Sequence, residues 1–165
     1  MVFYHRYLYL TALLAVVLLG CSSGISRQVR SQVTYFGPFA DLQRHPDRFK
    51  EDMVILGGRI IANHTTDKGT ELEVLQLELD GSDRPEDNSR SAGRFLVRTD
   101  QFLDPAIYAR GLMITVAGRV QGGATGAIGQ MTYSYPVIRP VEIKKWPPRP
   151  YGSRFHFGIG IGTTF

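Results

Sequence analysis

The stretch MVILGGRIIAN, residues 53–63, decides the fold because it has the pattern of a β-strand interrupted by two adjacent glycines. Apolar residues stand on both sides of Gly57 and Gly58. Glycines inside a strand pattern indicate a bulge, or a bend where another backbone approaches closely. Glycine kinks and bulges are also what curves a sheet enough to close it. We therefore predict a strongly coiled first strand.

The next segment is predicted to pair with this strand. A polar turn at residues 64–70 separates it from ELEVLQLEL at residues 71–79. The apolar alternation of the second strand changes phase midway along its length. One extra residue at Val74–Leu75 would restore a single buried face, so we predict a bulge there, within a long curved hairpin.

Three further strands follow, each bounded by turn-forming residues. They are RFLVRT at residues 94–99, LMITVAGRVQG at 112–122 and QMTYSYPVIRPVEI at 130–143. The alternation of the fourth strand predicts that four of its residues share one face. These are Ile114, Val116, Gly118 and Val120. The run GATGAIG, residues 123–129, is predicted to be the turn between the last two strands.

Two short helices are predicted beside the strands. A helical turn within residues 39–45 must end before Pro46, because the residue preceding a proline avoids the helical region. Between the third and fourth strands, Asp104 can cap a helical turn that begins with Pro105 and ends at Gly111.

The order of these elements predicts an all-β fold with little helix. Three strands, a short helix and two more strands, with a glycine-coiled first strand, are the layout of a five-stranded antiparallel barrel of the OB-fold type. A curled antiparallel sheet of the same order is the alternative. We predict that this domain spans residues 35–146 and that Pro136 places the fifth strand at an edge or a bend.

The N-terminal residues have the pattern of an export signal. A short apolar run leads into LLAVVLLGCSSG at residues 13–24, after a segment that carries Arg6. This run is shorter than the roughly 20 apolar residues that span a bilayer. A basic start, a short apolar core and a small-residue exit predict a signal peptide over residues 1–20. An uncleaved anchor helix is the alternative.

Cys21 is the only cysteine of the chain. Its neighbours are serines and glycine, which supply neither the helper base nor the activating charge of a catalytic thiol. The sequence Leu18-Leu19-Gly20-Cys21 resembles the bacterial lipobox, which implies cleavage between Gly20 and Cys21 and acylation of Cys21. Ser22, rather than Asp, follows, which by the same resemblance implies an outer-membrane anchor on a periplasm-facing protein. A buried structural cysteine is the alternative.

The residues that follow the cysteine are small, polar and without periodicity. They predict an acylated flexible tether over residues 21–34, whose patternless part would reach about 35–40 Å when extended.

The charge and the titratable residues argue against several classes of function. The formal net charge of +4 is well short of a nucleic-acid-binding stripe, so no nucleic acid is expected as a partner. His45, His64 and His156 are scattered, and their spacing does not fit metal ligation. The carboxylate of Asp104 is explained by capping, and GGATGAIG lacks the lysine and hydroxyl of a phosphate loop. We therefore expect no enzyme, no metal site and no cofactor.

Several segments resemble one family of bacterial envelope proteins. They are ILGGRII, GRFLVRTDQFLDPAIYARG, ITVAGRV and GAIGQMTYSYPVI, followed at a distance by Trp146. Together with the lipobox, these segments are similar to the starvation-inducible outer-membrane lipoprotein (Slp) family of gammaproteobacteria. The resemblance implies an outer-membrane lipoprotein associated with starvation and other stress. It implies no catalytic residues and no ligand, and only the anchor transfers, to Cys21.

Binding is the functional hypothesis that the residues favour. OB barrels bind ligands across one face and its loops, and Tyr133, Tyr135 and Trp146 could stack on sugars. Filling and closing the barrel is the alternative role for these rings. Basic residues near the C-terminus would attract anionic lipid headgroups, unless they form only a solvated face. They are Arg139, Lys144, Lys145, Arg149 and Arg154.

The candidate partners are therefore an envelope glycan, a lipid headgroup or another envelope protein. A structural or stress-protective role is the second hypothesis, acting through the barrel face or the C-terminal tail. That tail, residues 147–165, begins with the stiff spacer PPRP and ends in the strictly alternating RFHFGIGIGTTF. It is either mobile, or it docks on the membrane surface or on the open sheet edge of a partner.

Overall fold

A computed structural model describes residues 24–148 of the chain, and in it five strands close into one barrel. The strands are β1 (Met53–Thr66), β2 (Gly69–Leu77), β3 (Arg94–Thr99), β4 (Met113–Ile128) and β5 (Met131–Trp146). Their order is β1-β2-β3-β5-β4, and β4 returns to pair with β1. All neighbours are antiparallel except β3 and β5, which pair in parallel. This closed order confirms the predicted OB-fold barrel and excludes the open curled sheet.

Within residues 24–148, three short helical segments accompany the barrel. They are α1 (Arg27–Arg30), α2 (Phe39–Arg44) and a 3-10 helix (Pro46–Phe49). The second helix lies where the sequence predicts one, before Pro46. Its Leu42 is fully buried, and the ring of its Phe39 lies 6.1 Å from that of Phe95 on β3. This helix therefore covers one end of the barrel core.

The helix predicted between β3 and β4 is reduced to a single hydrogen-bonded turn. The Asp104 carboxylate accepts a hydrogen bond from the backbone N–H of Ala106 at 2.8 Å, and the Asp104 carbonyl accepts one from Tyr108 at 2.8 Å. The chain then leaves the helical path because its backbone forms hydrogen bonds with β1. Gly111 donates to the carbonyl of Ile60, whose own N–H donates to Leu112.

The core fills the barrel with the inward side chains of all five strands. The fully buried members include Ile60, Val74, Phe95, Val116 and Ile138. The shared face predicted on β4 is confirmed and is the inward one, because Ile114, Val116 and Val120 are fully buried in this cluster. Each large side chain removed from water contributes about 1.5–3 kcal/mol to folding.

Two predicted irregularities lie elsewhere than the sequence indicates. The bulge predicted at Val74–Leu75 is in β1, where the register slips at Ile61. The alternation of β2 therefore continues without a break, and Leu75 faces outward. The turn predicted at residues 123–129 is also wrong, since β4 continues through Ile128 and turns at Gly129. The small residues of this run pair with β5 instead of leaving the sheet.

The described part of the predicted tether lies on the barrel. Ile25 is only 2 % exposed and packs against Met53 and Ala117. The Ser26 hydroxyl donates to the Glu142 carboxylate at 2.7 Å, and the Ile25 N–H donates to Asp83 at 3.0 Å. A buried isoleucine and several polar contacts hold a segment that is too short to show periodicity in the sequence.

The predicted signal peptide, Cys21 and residues 149–165 of the predicted tail lie outside the described residues. Within residues 24–148, no helix has the length and apolar character needed to cross a membrane.

Replacing Gly58 tests the coiled first strand. Gly58 faces the barrel interior, where a Cβ would meet the carbonyl oxygen of Leu75 and lie 2.6 Å from Cγ1 of Val74. We expect Gly58→Ala to lower the free energy of unfolding by about 1–3 kcal/mol, because the core has no space for the methyl group. Urea unfolding of residues 22–165 measures this.

The matched control is Gly81→Ala, since a Cβ at Gly81 meets no atom within 4 Å. Equal unfolding midpoints for the two variants would show that close backbone approach does not constrain β1.

Candidate functional site

The register of three strands brings the candidate site together on the outer face of the barrel. Arg59 of β1 is opposite Met113 of β4, and Met113 is opposite Trp146 of β5. Alternate residues of a strand share one face, so the next outward row holds Thr115 and Lys144. An arginine, an apolar side chain and a tryptophan that are distant in sequence therefore form one row.

The loop between β2 and β3, residues 78–93, covers part of this face. The side chain of Leu79 occupies the space beside Gly57, and Leu79 and Pro85 form a β-bridge across the loop. The carboxylate of Asp80 accepts hydrogen bonds from the backbone N–H groups of Ser82 and Arg84. These contacts give the loop a fixed turn, so it presents its side chains in defined positions.

Trp146 lies where this loop meets the end of β5. It is 7 % exposed, and its indole N–H donates to the hydroxyl of Thr115 at 2.9 Å. The Thr115 hydroxyl in turn donates to the carbonyl of Asp83 in the loop. Two cations lie over the indole ring, with Arg84 Cζ at 5.5 Å and Lys144 Nζ at 5.6 Å from its centroid. The ring is therefore held between the barrel and two positive charges.

A groove of about 550 Å³ opens beside Trp146, and we call it the Trp146 groove. Its lining residues are Arg59, Arg84, Pro85, Asp87, Asn88, Gly111, Leu112, Met113, Trp146 and Pro148. Two guanidinium groups and one carboxylate make the lining net positive, and Arg59 forms an ion pair with Asp87. An apolar wall beside guanidinium groups suits a ligand that carries both an anionic group and an apolar or sugar part.

The tyrosines predicted to bind a ligand lie together, away from this groove. The rings of Tyr133 and Tyr135 are 4.6 Å apart in a T-shaped contact. The Tyr133 hydroxyl accepts from the backbone N–H of Arg94 at 2.8 Å and from Gln43 at 2.7 Å. The Tyr135 hydroxyl donates to Glu73 at 3.1 Å. Both hydroxyls thus have structural partners, and ligand binding by these rings stays a prediction.

The surroundings of Tyr135 change the pKa of its hydroxyl group. Burial raises the pKa of the Tyr135 hydroxyl above its ordinary value of 10.0, and the nearby Glu73 carboxylate adds to the effect. Because the folded chain keeps this proton more tightly than the unfolded chain does, its contribution to stability is complete below pH 10. The contribution is lost as the pH rises through the higher pKa of the folded state.

The outer surface of β2 and β3, on which OB folds commonly bind ligands, is charge-paired. Arg98 contacts Glu71 at 2.6 Å, and Arg94 contacts Glu73 at 2.8 Å. No group of three His, Cys, Asp or Glu side chains within residues 24–148 is placed to hold a metal ion.

A second cavity, of about 570 Å³, lies between the segment around His45 and the outer part of the hairpin formed by β4 and β5. Its charges are also largely paired, since Arg44 contacts Asp41 and Lys50 contacts Asp47 at 3.0 Å. The hydrogen bond and the charge of Lys50 lower the pKa of the Asp47 carboxyl.

Comparison with known proteins identifies the family. The model of the outer membrane lipoprotein Slp family matches residues 18–158. The chain belongs to the Slp family. It is therefore an outer-membrane lipoprotein, and the resemblance noted in its segments is confirmed.

Two relatives of this Slp-family chain are from Escherichia coli K12. "Uncharacterized lipoprotein YeaY" is 32 % identical over 112 residues, which cover 63 % of this chain and 58 % of YeaY. "Outer membrane protein Slp" is 30 % identical over 137 residues, which cover 81 % of this chain and 71 % of that protein. The chain thus spans less than two thirds of YeaY and somewhat more of Slp.

Solved structures with a similar arrangement are single-stranded DNA-binding proteins. The small one from Streptomyces coelicolor has a TM-score of 0.35 and 14 % identity, over 58 % of this chain and 94 % of that one. The Plasmodium falciparum protein, in a complex with single-stranded DNA, has a TM-score of 0.35 and 11 % identity over the same shares. The strand order, rather than this similarity, identifies the barrel of the Slp-family chain.

The sequence singles out Trp146 as a possible ligand contact, which stays a prediction, but it does not indicate the residues that surround Trp146. Arg59 and Arg84 lie in a strand and in a charged loop, and neither has a local signal of binding. Arg59 lies near Trp146 because both residues pair with Met113 of β4, and Arg84 is brought there by its contact with the Trp146 ring. Thr115 could have been noticed in the sequence, because it is a hydroxyl-bearing residue at an outward position within the apolar run LMITVAG.

Removing the Thr115 hydroxyl tests the base of the groove. We expect Thr115→Val to lower the free energy of unfolding by about 1–3 kcal/mol, because it leaves the buried indole N–H of Trp146 without its acceptor. We also expect the fluorescence of Trp146, the only tryptophan of the chain, to change in emission wavelength. The control is Thr125→Val, at an exposed threonine of the same strand. A Thr115→Val chain with wild-type stability and emission contradicts this account.

Proposed function

We propose that this Slp-family chain is a lipid-anchored, periplasm-facing module of the outer membrane that is acylated on Cys21. Residues 1–20 act as the signal peptide, which is removed between Gly20 and Cys21. The proposal is supported by the lipobox-like Leu18-Leu19-Gly20-Cys21, which lies inside the family match over residues 18–158. It is also supported by the absence of any other cysteine from the sequence. Several acyl chains make a stable anchor.

Its role is a non-catalytic one, in binding or protection of the envelope during starvation and other stress. The side chains that resemble catalytic groups already make hydrogen bonds within the fold. Asp104 caps a turn, the Tyr133 hydroxyl holds the backbone of Arg94, and the Tyr135 hydroxyl holds Glu73. These contacts give each of the three side chains a structural role in the barrel.

The observation that carries the binding proposal is the Trp146 groove. It combines an aromatic ring with the guanidinium groups of Arg59 and Arg84 on one face of the barrel. Envelope glycans, lipid headgroups and envelope proteins all present anionic groups that such a groove would bind. Nucleic acid is not proposed as a partner, because the β2–β3 surface of this barrel pairs its arginines with glutamates.

A structural role is the second candidate, favoured by this same pairing of surface charges. In that role the chain would act through the barrel face or through residues 147–165, without a specific ligand. The binding function requires Arg59 and Arg84 of the Trp146 groove, whereas the structural role does not require them.

Intact mass of the protein extracted from membranes tests the anchor. We expect residues 21–165 plus the mass of the acyl chains, because cleavage leaves Cys21 as the first residue and its thiol is consumed. Cys21→Ser is the control, and it should retain residues 1–20 and carry no lipid. A wild-type chain that begins at Met1, or that keeps a free Cys21 thiol, contradicts the proposal.

Survival of stationary-phase cells separates binding from a structural role. In a strain that lacks the gene, we expect the double variant Arg59→Gln/Arg84→Gln to restore survival less well than the wild-type chain does, at equal abundance. The control is Arg98→Gln, which alters a guanidinium on the β2–β3 surface and should restore survival fully. Full rescue by the double variant favours the structural role.

A further inference from the structure

We infer that the Trp146 groove faces the membrane to which the chain is anchored and binds the phosphate of anionic phospholipid headgroups through Arg59 and Arg84. This inference rests on the proposed acylation of Cys21, and it names the ligand of the proposed binding site.

Both ends of the described chain are held by consecutive loop residues. Asp83 accepts a hydrogen bond from the N–H of Ile25 at 3.0 Å and forms an ion pair with Arg30. Arg84 donates to the carbonyl of Pro147 at 2.8 Å. Because consecutive Cα atoms are about 3.8 Å apart, the N-terminal segment and the end of β5 leave the barrel on one side.

The distance from this side to the anchor is short. Only three peptide steps separate Cys21 from Gly24, which corresponds to about 10 Å when extended. Ile25 is 2 % exposed in an apolar cluster with Met53 and Ala117, so lengthening the linker would return that apolar surface to water. Acyl chains in the bilayer therefore bring this side of the barrel to the headgroup layer.

The surface beside the anchor has the chemistry of an interfacial contact. Arg27 is exposed, and Arg30 remains half exposed within its ion pair. Phe36, in the same N-terminal segment, is 85 % exposed. No other large apolar side chain of residues 24–148 is as exposed. Basic residues near an anionic leaflet are attracted to it, and exposed aromatic rings are favoured at the headgroup level.

The groove offers guanidinium groups that a phosphate can use. The ion pair between Arg59 and Asp87 is exposed, with 36 % and 68 % of the side chains accessible, so solvent screens it strongly. A phosphate whose two oxygens accept hydrogen bonds from the Arg59 guanidinium replaces this partner at little cost. Arg84 is already held by the Trp146 ring and by the Pro147 carbonyl, so less of its mobility is lost on binding.

The single tryptophan allows the orientation to be measured. The acylated chain is reconstituted into vesicles of phosphatidylethanolamine and phosphatidylglycerol that contain phosphatidylethanolamine labelled with dansyl on the headgroup. Energy transfer from Trp146 to the dansyl group depends on their distance and not on the exposure of the ring. The comparison chain is Trp146→Phe/Met131→Trp, which moves the fluorophore to the exposed far end of β5, at most about 50 Å away along the curved strand.

We expect energy transfer from Trp146 to exceed that from the comparison chain about threefold or more, because transfer falls steeply over the length of the strand. Equal transfer from the two chains, or greater transfer from the comparison chain, overturns the orientation. Failure of the wild-type chain to remain with the vesicles instead indicates that the anchor proposal is wrong. The two failures are therefore distinguishable.

Headgroup binding is measured with Cys21→Ser chains that lack residues 1–20, by sedimentation with phosphatidylglycerol vesicles. We expect Arg59→Gln/Arg84→Gln to weaken the partition about tenfold or more, because two charges near the leaflet are lost. Arg98→Gln, on the β2–β3 surface, should change it less than about twofold. Equal losses in the two variants overturn the assignment of the groove.

Inorganic phosphate distinguishes a headgroup from a free anion. At constant ionic strength, we expect millimolar phosphate to leave the partition of the wild-type chain unchanged, because the lipid surface supplies many phosphates at once. Release of the chain by phosphate alone would show that the groove binds a free anion, and the lipid assignment would then be withdrawn.

Discussion

The double pairing of β1 is the constraint on which the rest of the structure depends. At Gly58 the same strand is opposite Gln76 of β2 and Ile114 of β4, so β1 closes the barrel from both sides. The strand can bend this far because no side chain at Gly58 occupies the space that the Leu75 carbonyl needs. Once closed, the register is fixed along β4 and β5. The outward row that ends in Trp146 is thus a consequence of where β1 bends.

The fold could be predicted from the sequence because its signals are local. Glycines in the first strand, alternation in the fourth strand and turn residues between strands each act within about ten residues. Two predictions were wrong for one physical reason. The residue pattern of one strand does not show which of two paired strands contains a bulge, or where their pairing ends. The bulge lies at Ile61 rather than Val74–Leu75, and the glycine-rich run after Gly122 stays paired with β5.

The candidate site could be predicted only in part, because its contacts are non-local. The residue type of Trp146 suggests a ligand contact, but its hydrogen bond to Thr115 and its contact with Arg84 join segments that are 31 and 62 positions apart. The N-terminal segment was assigned to a tether for a similar reason. Its attachment depends on Asp83 and Glu142, which no pattern near Ile25 predicts.

The hairpin of β4 and β5 has unequal support along its length. β1 pairs with β4 only from Met113 to Arg119, whereas β5 continues beside β4 as far as Ile128. The outer half is therefore a two-stranded ribbon, a structure that is marginal by itself. Its support comes from the apolar contact of Tyr135 with Leu96, from the hydrogen bonds of the Tyr133 and Tyr135 hydroxyls, and from the 3-10 helix near Gly122. Local opening of this ribbon requires less free energy than global unfolding, so its backbone amides exchange with solvent before those of the closed barrel.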